Sequence, residues 1–129
     1  MKFSIDKHEK YVVIRLDEDR LTADNTPKLK SEFILLSTEG YCNIVLDLSQ
    51  VTACDDSQDL SCLLVGDRIC KKANGLFIIT GITECITHLL EISSIDQSLN
   101  IVGNLGEAED LIFMEEIEKE LLGSFDQEN

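Results

Sequence analysis

The chain has 129 residues, 43% hydrophobic and 28% charged, which suits one domain with a real core and excludes an ordinary two-domain or disordered protein. Its 25 acidic against 11 basic side chains leave a formal net charge of −14, so its surface repels nucleic acid and anionic membranes. Five cysteines, odd in number and without a CxxC pair, stand beside only two histidines and read as free thiols in a reducing compartment, with no metal site expected.

Taken in chain order, the pattern opens on a hairpin. Phe3 and Ile5 alternate with polar neighbours, Asp6 to Lys10 form a charged turn, and Tyr11 to Leu16 is a β-branched strand. Asp24-Asn25-Thr26-Pro27 supplies capping residues and a proline for a first helical turn, and Leu29, Phe33 and Leu36 recur at helical spacing until Gly40. Asn43 to Leu48 is apolar enough for a strand covered on both faces. The polar stretch from Ser49 to Asp59 leads into a helix carrying Leu60, Leu63, Leu64 and Ile69, with Asn74-Gly75 as its stop. Leu76 to Thr80 is a further buried strand, Ile86, Leu89 and Leu90 mark a short helix, and Leu99 to Val102 is a short strand. After Gly103 and Asn104 comes a last helix with Leu111, Ile112, Met114, Ile117 and Leu121.

The predicted order is β-β-α-β-α-β-α-β-α, an α/β domain over 1–122 with a polar, frayed tail over 123–129. Alternating strands and helices imply parallel neighbours in a mixed central sheet. The acidic run Glu115, Glu116, Glu118 and Glu120 reads as the solvated face of the last helix, with a partner-binding face as the alternative. The first residues, Met1 to Asp6, are too polar for a signal peptide and no apolar run spans a bilayer, so a cytoplasmic protein is expected.

The richest polar segment is Cys54-Asp55-Asp56-Ser57-Gln58-Asp59-Leu60, between a buried strand and a helix. Asp56 or Ser57 can cap that helix, where exposed amides and the macrodipole favour carboxylates. A well-capped helix start in an acidic loop is the plainest reading. A serine there also suits phosphorylation, since a phosphate adds charge of roughly −1.5 to −2 beside existing carboxylates and can break a contact. For Cys54, a redox or nucleophilic role stands against a buried thiol.

Leu46-Asp47-Leu48-Ser49-Gln50-Val51, followed by Asp55-Asp56-Ser57-Gln58-Asp59-Leu60, resembles the STAS domains of anti-sigma factor antagonists, as does the order of elements. Those domains carry a Leu-Asp-Leu-Ser-x-Val strand end and then Asp-Ser-Ser-Gly-Leu. Counted forward from Leu46, Asp55 takes the aspartate, Asp56 the first serine, Ser57 the second, phosphorylated serine and Gln58 the glycine. Counted back from Leu60, Asp56 takes the aspartate, Ser57 the first serine, Gln58 the acceptor position and Asp59 the glycine. The forward count alone keeps a phosphorylatable group, and neither keeps the glycine.

The resemblance implies a STAS-like fold and a binding module, not an enzyme, whose partner is an anti-sigma factor or serine protein kinase. ATP would belong to the kinase, so no cofactor is expected. The docking surface implied here is Asp55, Asp56, Ser57, Gln58, Asp59, Ser61 and Cys62, with Ser57 as the modified residue. A two-component receiver fits poorly, because Asp17, Glu18 and Asp19 follow the second hairpin strand and no lysine follows Ile101-Val102. No P-loop sequence occurs, and neither His8 nor His88 has a nucleophile near it in sequence. Three functions stay open: an antagonist switched at Ser57, a module that binds without a switch because Asp55 and Asp56 already supply the charge, and a small-ligand or enzymatic site at the acidic loop or Cys54.

Overall fold

A computed structural model describes the backbone of residues 2–128 and side chains as far as Leu122. The strands are β1 (Phe3–Lys7), β2 (Val12–Leu16), β3 (Arg20–Leu21), β4 (Ile44–Asp47), β5 (Ala53–Cys54), β6 (Phe77–Thr80) and β7 (Asn100–Val102). The helices are α1 (Thr26–Thr38), α2 (Ser61–Lys72), α3 (Glu84–Ile92) and α4 (Leu105–Glu128), with 3₁₀ turns over Ser57–Leu60 and Ile95–Ser98. The expected mixed α/β architecture is present. The additions are the two-residue strands β3 and β5 and both 3₁₀ turns, too short to leave a periodic signal.

Five strands form one sheet in the order β1-β2-β4-β6-β7, and β3 and β5 form a separate parallel pair. The edge strand β1 is antiparallel to β2, while every other neighbour in the main sheet is parallel. Strand β4 therefore lies at the centre, with Val45 beside Val13 and Ile78 in adjacent registers. That position explains its unbroken apolar run, because both of its faces are covered.

Alternation splits the sheet between two cores. Val12, Ile14, Ile44, Leu46, Phe77 and Ile79 face α1, α2 and α3, and Phe33 and Phe77 meet edge-on with ring centroids 5.2 Å apart. Val45 and Ile78 point the other way, onto Ala108 and Ile112 of α4. Three helices thus cover one face and a single helix the other. Within α4, Ala108 and Ile112 are the buried apolar positions, whereas Leu111, Met114, Ile117 and Leu121 of the predicted apolar stripe are exposed.

The end of the sheet at the start of the central strand β4 is tied by Asn43, which is buried but fully bonded. Its amide donates to the Lys10 carbonyl at 2.9 Å and to Glu116 Oε1 at 3.0 Å, and its Oδ1 accepts from the Leu76 amide at 2.9 Å. Glu116 accordingly does not belong to a solvated face: the Asn43 hydrogen bond holds its carboxyl below the usual carboxylate range, with Lys119 assisting. At the end of α2, Asn74 takes the left-handed conformation (φ 60°), and Gly75 is needed for a different reason. A Cβ on Gly75 would lie 1.9 Å from the Cys42 carbonyl oxygen.

The capping residues expected before α1 work differently. Asn25 makes no side-chain bond to the helix; its Oδ1 accepts from the Thr22 amide and its amide group donates to the Arg20 carbonyl, both at 2.8 Å. It braces β3 instead. The backbone of α4 is continuous to Glu128, and the polar tail expected over 123–129 concerns side chains outside the described residues.

Candidate functional site

The site is a loop held at both ends before any side chain acts. After Leu48, whose amide donates to the Thr80 carbonyl, the chain turns on Asp47, whose Oδ1 accepts from the Ser49 amide at 2.9 Å. This turn gives the aspartate and serine of Leu46-Asp47-Leu48-Ser49 a structural role at the strand end. Thr52 and Ala53 then donate their amides to the Asp19 carbonyl, and the Asp55 amide to Leu21, which seats β5 against β3. Thr83, just before α3, donates its hydroxyl to the Val51 carbonyl at 2.8 Å. The segment leaves this clamp at Asp55 and enters α2 at Ser61.

Between those points the residues divide by role. Asp55 pairs with Arg20 at 2.9 Å on the surface. Asp56 has extended backbone (φ −142°, ψ 138°), and its Oδ1 accepts the Gln58 amide at 2.9 Å, so it is the cap of the 3₁₀ turn that leads into α2. Ser57 and Gln58 are exposed, and Ser61 is half-buried at the first position of α2. Asp59 is half-buried, with one carboxylate oxygen buried and unbonded within the protein. No residue from Asp55 to Leu60 takes a positive φ, so the absence of a glycine at Gln58 or Asp59 costs no backbone strain.

Cys62, which the resemblance puts on the docking surface, is instead fully buried in the main core and unavailable to a partner. One residue into the helix, the side chain has rotated from the rim to the sheet face. Burial pushes its thiol up to about 12.

Cys54 is half-buried and its thiol donates to the Asp56 carbonyl at 2.9 Å. Burial raises its pKa, the bond to Asp56 opposes that, and the carboxylates of Asp59, Asp55 and Asp56 raise it further. A thiol kept protonated among carboxylates is a poor nucleophile. Elsewhere, Cys42 is half-buried and Cys85 exposed, so the expected burial of the thiols is complete only at Cys62 and Cys70. His8 stacks on Tyr11 and pairs with Asp6, while exposed His88 lines a shallow depression along α3 with Glu84, Cys85, Thr87 and Glu91. Among the described residues no cluster of three or more His, Cys, Asp and Glu has metal-binding geometry.

Arg20, Asp19 and Thr83 are the parts of the site that sequence reasoning missed. Arg20 had one signal, as the lone cation after Asp17-Glu18-Asp19, but nothing local couples it to Asp55 thirty-five residues away. Asp19 and Thr83 act through a backbone carbonyl and a strand-end contact, which no motif records.

A mixed sheet with three helices on one face, and a serine-bearing acidic loop opening a helix at the strand ends, defines a class of small α/β domain. The STAS domain family model matches residues 2–108, and the chain belongs to that family. Similar solved structures include the protein TM1081 from Thermotoga maritima, 22% identical over 85% of this chain and 93% of that one, with a TM-score of 0.74. Another, from Mycobacterium paratuberculosis, is 15% identical over 86% of this chain and 92% of that one, with a TM-score of 0.73. The Bacillus anti-sigma factor antagonist SpoIIAA, solved in phosphorylated and unphosphorylated forms, is 16% identical in the latter, over 86% of this chain and 96% of that one, with a TM-score of 0.72. Among the described residues no helix is long and apolar enough to cross a membrane.

Proposed function

We propose that this STAS domain is an anti-sigma factor antagonist that docks an anti-sigma factor or serine kinase through Asp55, Asp56, Ser57, Gln58, Asp59 and Ser61, with Ser57 as the phosphate acceptor. The observation that carries the reading is Ser57 itself. Its side chain is exposed at the first position of a 3₁₀ turn whose cap is the preceding residue, so its hydroxyl is not consumed in capping. Forward counting of the motif places the acceptor on the same residue.

A phosphate on Ser57 would join Asp55, Asp56 and Asp59 in one short loop. Roughly two added negative charges at this surface would oppose docking wherever the partner presents carboxylates or an apolar face, through like-charge repulsion and the cost of desolvating the phosphate. The chain's own role is binding; the phosphate donor belongs to the partner. The protonated Cys54 and Cys62 thiols favour this reading over a nucleophilic one.

A module without a switch is the second reading, favoured by the carboxylates of Asp55 and Asp56 flanking the serine on its N-terminal side. Capture of the full chain's partner from its native cell, with mass spectrometry of the Ser57 peptide, separates the two. The switched reading expects a kinase-like partner, one phosphate on Ser57, and no modification of Ser57→Ala. A kinase-like partner whose binding is the same for wild type, Ser57→Ala and Ser57→Glu would support the unswitched module. A partner without kinase-like anti-sigma character would sink the antagonist reading.

A further inference from the structure

Helix α4 outruns the sheet that it covers. Its buried side is short: Ala108 and Ile112 lie on Val45 and Ile78, and Glu116 reaches Asn43 at the start of β4. At about 1.5 Å per residue a 24-residue helix is roughly 36 Å long, whereas a four-residue strand spans about 13 Å. Beyond Glu116 none of the described side chains of the helix is buried.

The side of α4 turned away from the sheet is apolar where water would favour polar residues. Met114, Ile117, Leu121 and Leu122 are each exposed over more than half of their surface, and Phe113 and Leu111 over more than a third. At 100° per residue, Met114, Ile117 and Leu121 share one stripe with Asp110, while Phe113 and Glu120 flank one side and Glu118 the other. A continuous exposed patch of this kind marks an interaction surface, unlike single scattered apolar residues.

Charge decides what covers it. Between Leu105 and Leu122 the helix carries Glu107, Glu109, Asp110, Glu115, Glu116, Glu118 and Glu120 against Lys119 alone, and Lys119 already pairs with Glu116 at 3.5 Å. A second copy would set carboxylates against carboxylates around the same stripe, and both molecules carry a net −14. An anionic membrane or a nucleic acid meets the same repulsion. We propose that the outer face of α4, from Asp110 to Leu122, docks an amphipathic helix of another protein whose apolar stripe is flanked by lysines and arginines. This is helix-on-helix recognition, with apolar anchors for affinity and acidic flanks for orientation. The face lies across the sheet from α2, so it does not depend on the state of Ser57.

The test uses the full-length chain and three fluorescent helical peptides: leucines in one stripe with lysine flanks, the same composition scrambled, and the leucine stripe with glutamate flanks. Anisotropy should show the lysine-flanked peptide binding at least tenfold more tightly than either control. Ile117→Ser with Leu121→Ser should weaken it about tenfold, and the charge reversal Asp110→Lys with Glu118→Lys should do the same while leaving the apolar side chains Met114, Ile117 and Leu121 in place. Circular dichroism checks that both variants keep their helix content. Ser57→Glu should leave this affinity unchanged, which separates it from docking at residues 55–61. Equal binding of the scrambled or glutamate peptide would overturn the proposal, as would undiminished binding by both double variants. A concentration-dependent dimer abolished by Ile117→Ser with Leu121→Ser would overturn it in favour of a second copy.

Discussion

Removing the carboxylate of Asp56 separates the architecture of the loop from its recognition chemistry. The side chain accepts one amide hydrogen bond, from Gln58 at 2.9 Å, at the start of the 3₁₀ turn that feeds α2. Losing such a cap costs about 0.5–2 kcal/mol, typically near 1, whereas asparagine caps about as well as aspartate. Asp56→Ala is therefore expected to lower stability by about 1 kcal/mol. With a urea m value of roughly 1–3 kcal/mol/M, the midpoint falls by about 0.3–1 M, and a domain of this size loses about 3–5 °C in melting temperature. Asp56→Asn keeps the acceptor and removes one charge from an acidic loop, so its midpoint should stay within about 0.2 M of wild type. Urea unfolding followed by far-UV circular dichroism at neutral pH reads both. If Asp56→Asn is as damaging as Asp56→Ala, the carboxylate acts by charge and the capping argument fails. An unchanged Asp56→Ala would refute it as well. The asparagine variant then provides a folded protein in which a change of partner affinity belongs to the lost charge.

Gly66→Ala should destabilise by about 1–3 kcal/mol, because its Cβ would lie 2.5 Å from the ring of buried Phe77, itself held against Phe33; thermal melts check this, and Phe77→Leu should recover part of the loss. Tyr11 donates its hydroxyl to Glu109, and burial followed by that bond pushes its pKa up to about 12. Since the folded value lies above the unfolded value of about 10, its contribution is complete below pH 10 and lost as pH rises towards 12. The stability difference between wild type and Tyr11→Phe should shrink over that window, and a constant difference would refute the coupling. Native thiol titration at pH 8 should modify exposed Cys85 quickly and leave Cys62 and Cys70, both pushed up to about 12 by burial, unreacted until denaturant is added. Rapid reaction of Cys62 in the folded protein would place it at the surface.

Much of this fold is legible because its signals are local. Asn43 to Leu48 is apolar on both parities, which only a doubly covered strand tolerates, and it lies at the centre of the sheet. Leu29, Phe33 and Leu36 repeat at 3.6-residue spacing, and all three are buried. The polar run before Leu60 carries capping chemistry, which Asp56 performs for the 3₁₀ turn and not for α2 itself, whose cap position, Leu60, makes no side-chain bond. These features depend on neighbours a few residues away, so composition and spacing expose them.

Other decisions rest on residues far apart in the chain. β3 and β5 are too short for alternation, and their pairing arises from the Asp19 carbonyl meeting Thr52 and Ala53. The Arg20–Asp55 pair and the Asn43–Glu116 bond link elements that no local pattern connects. Cys62 follows the surface loop in sequence yet turns into the core, because one helical step is 100° of rotation. The last helix shows the division most plainly. Its sequence determined an apolar stripe through Met114, Ile117 and Leu121, since periodicity is a property of the helix alone. Tertiary structure decided that the sheet takes Ala108 and Ile112 and leaves the stripe exposed, since covering a helix face requires a second surface.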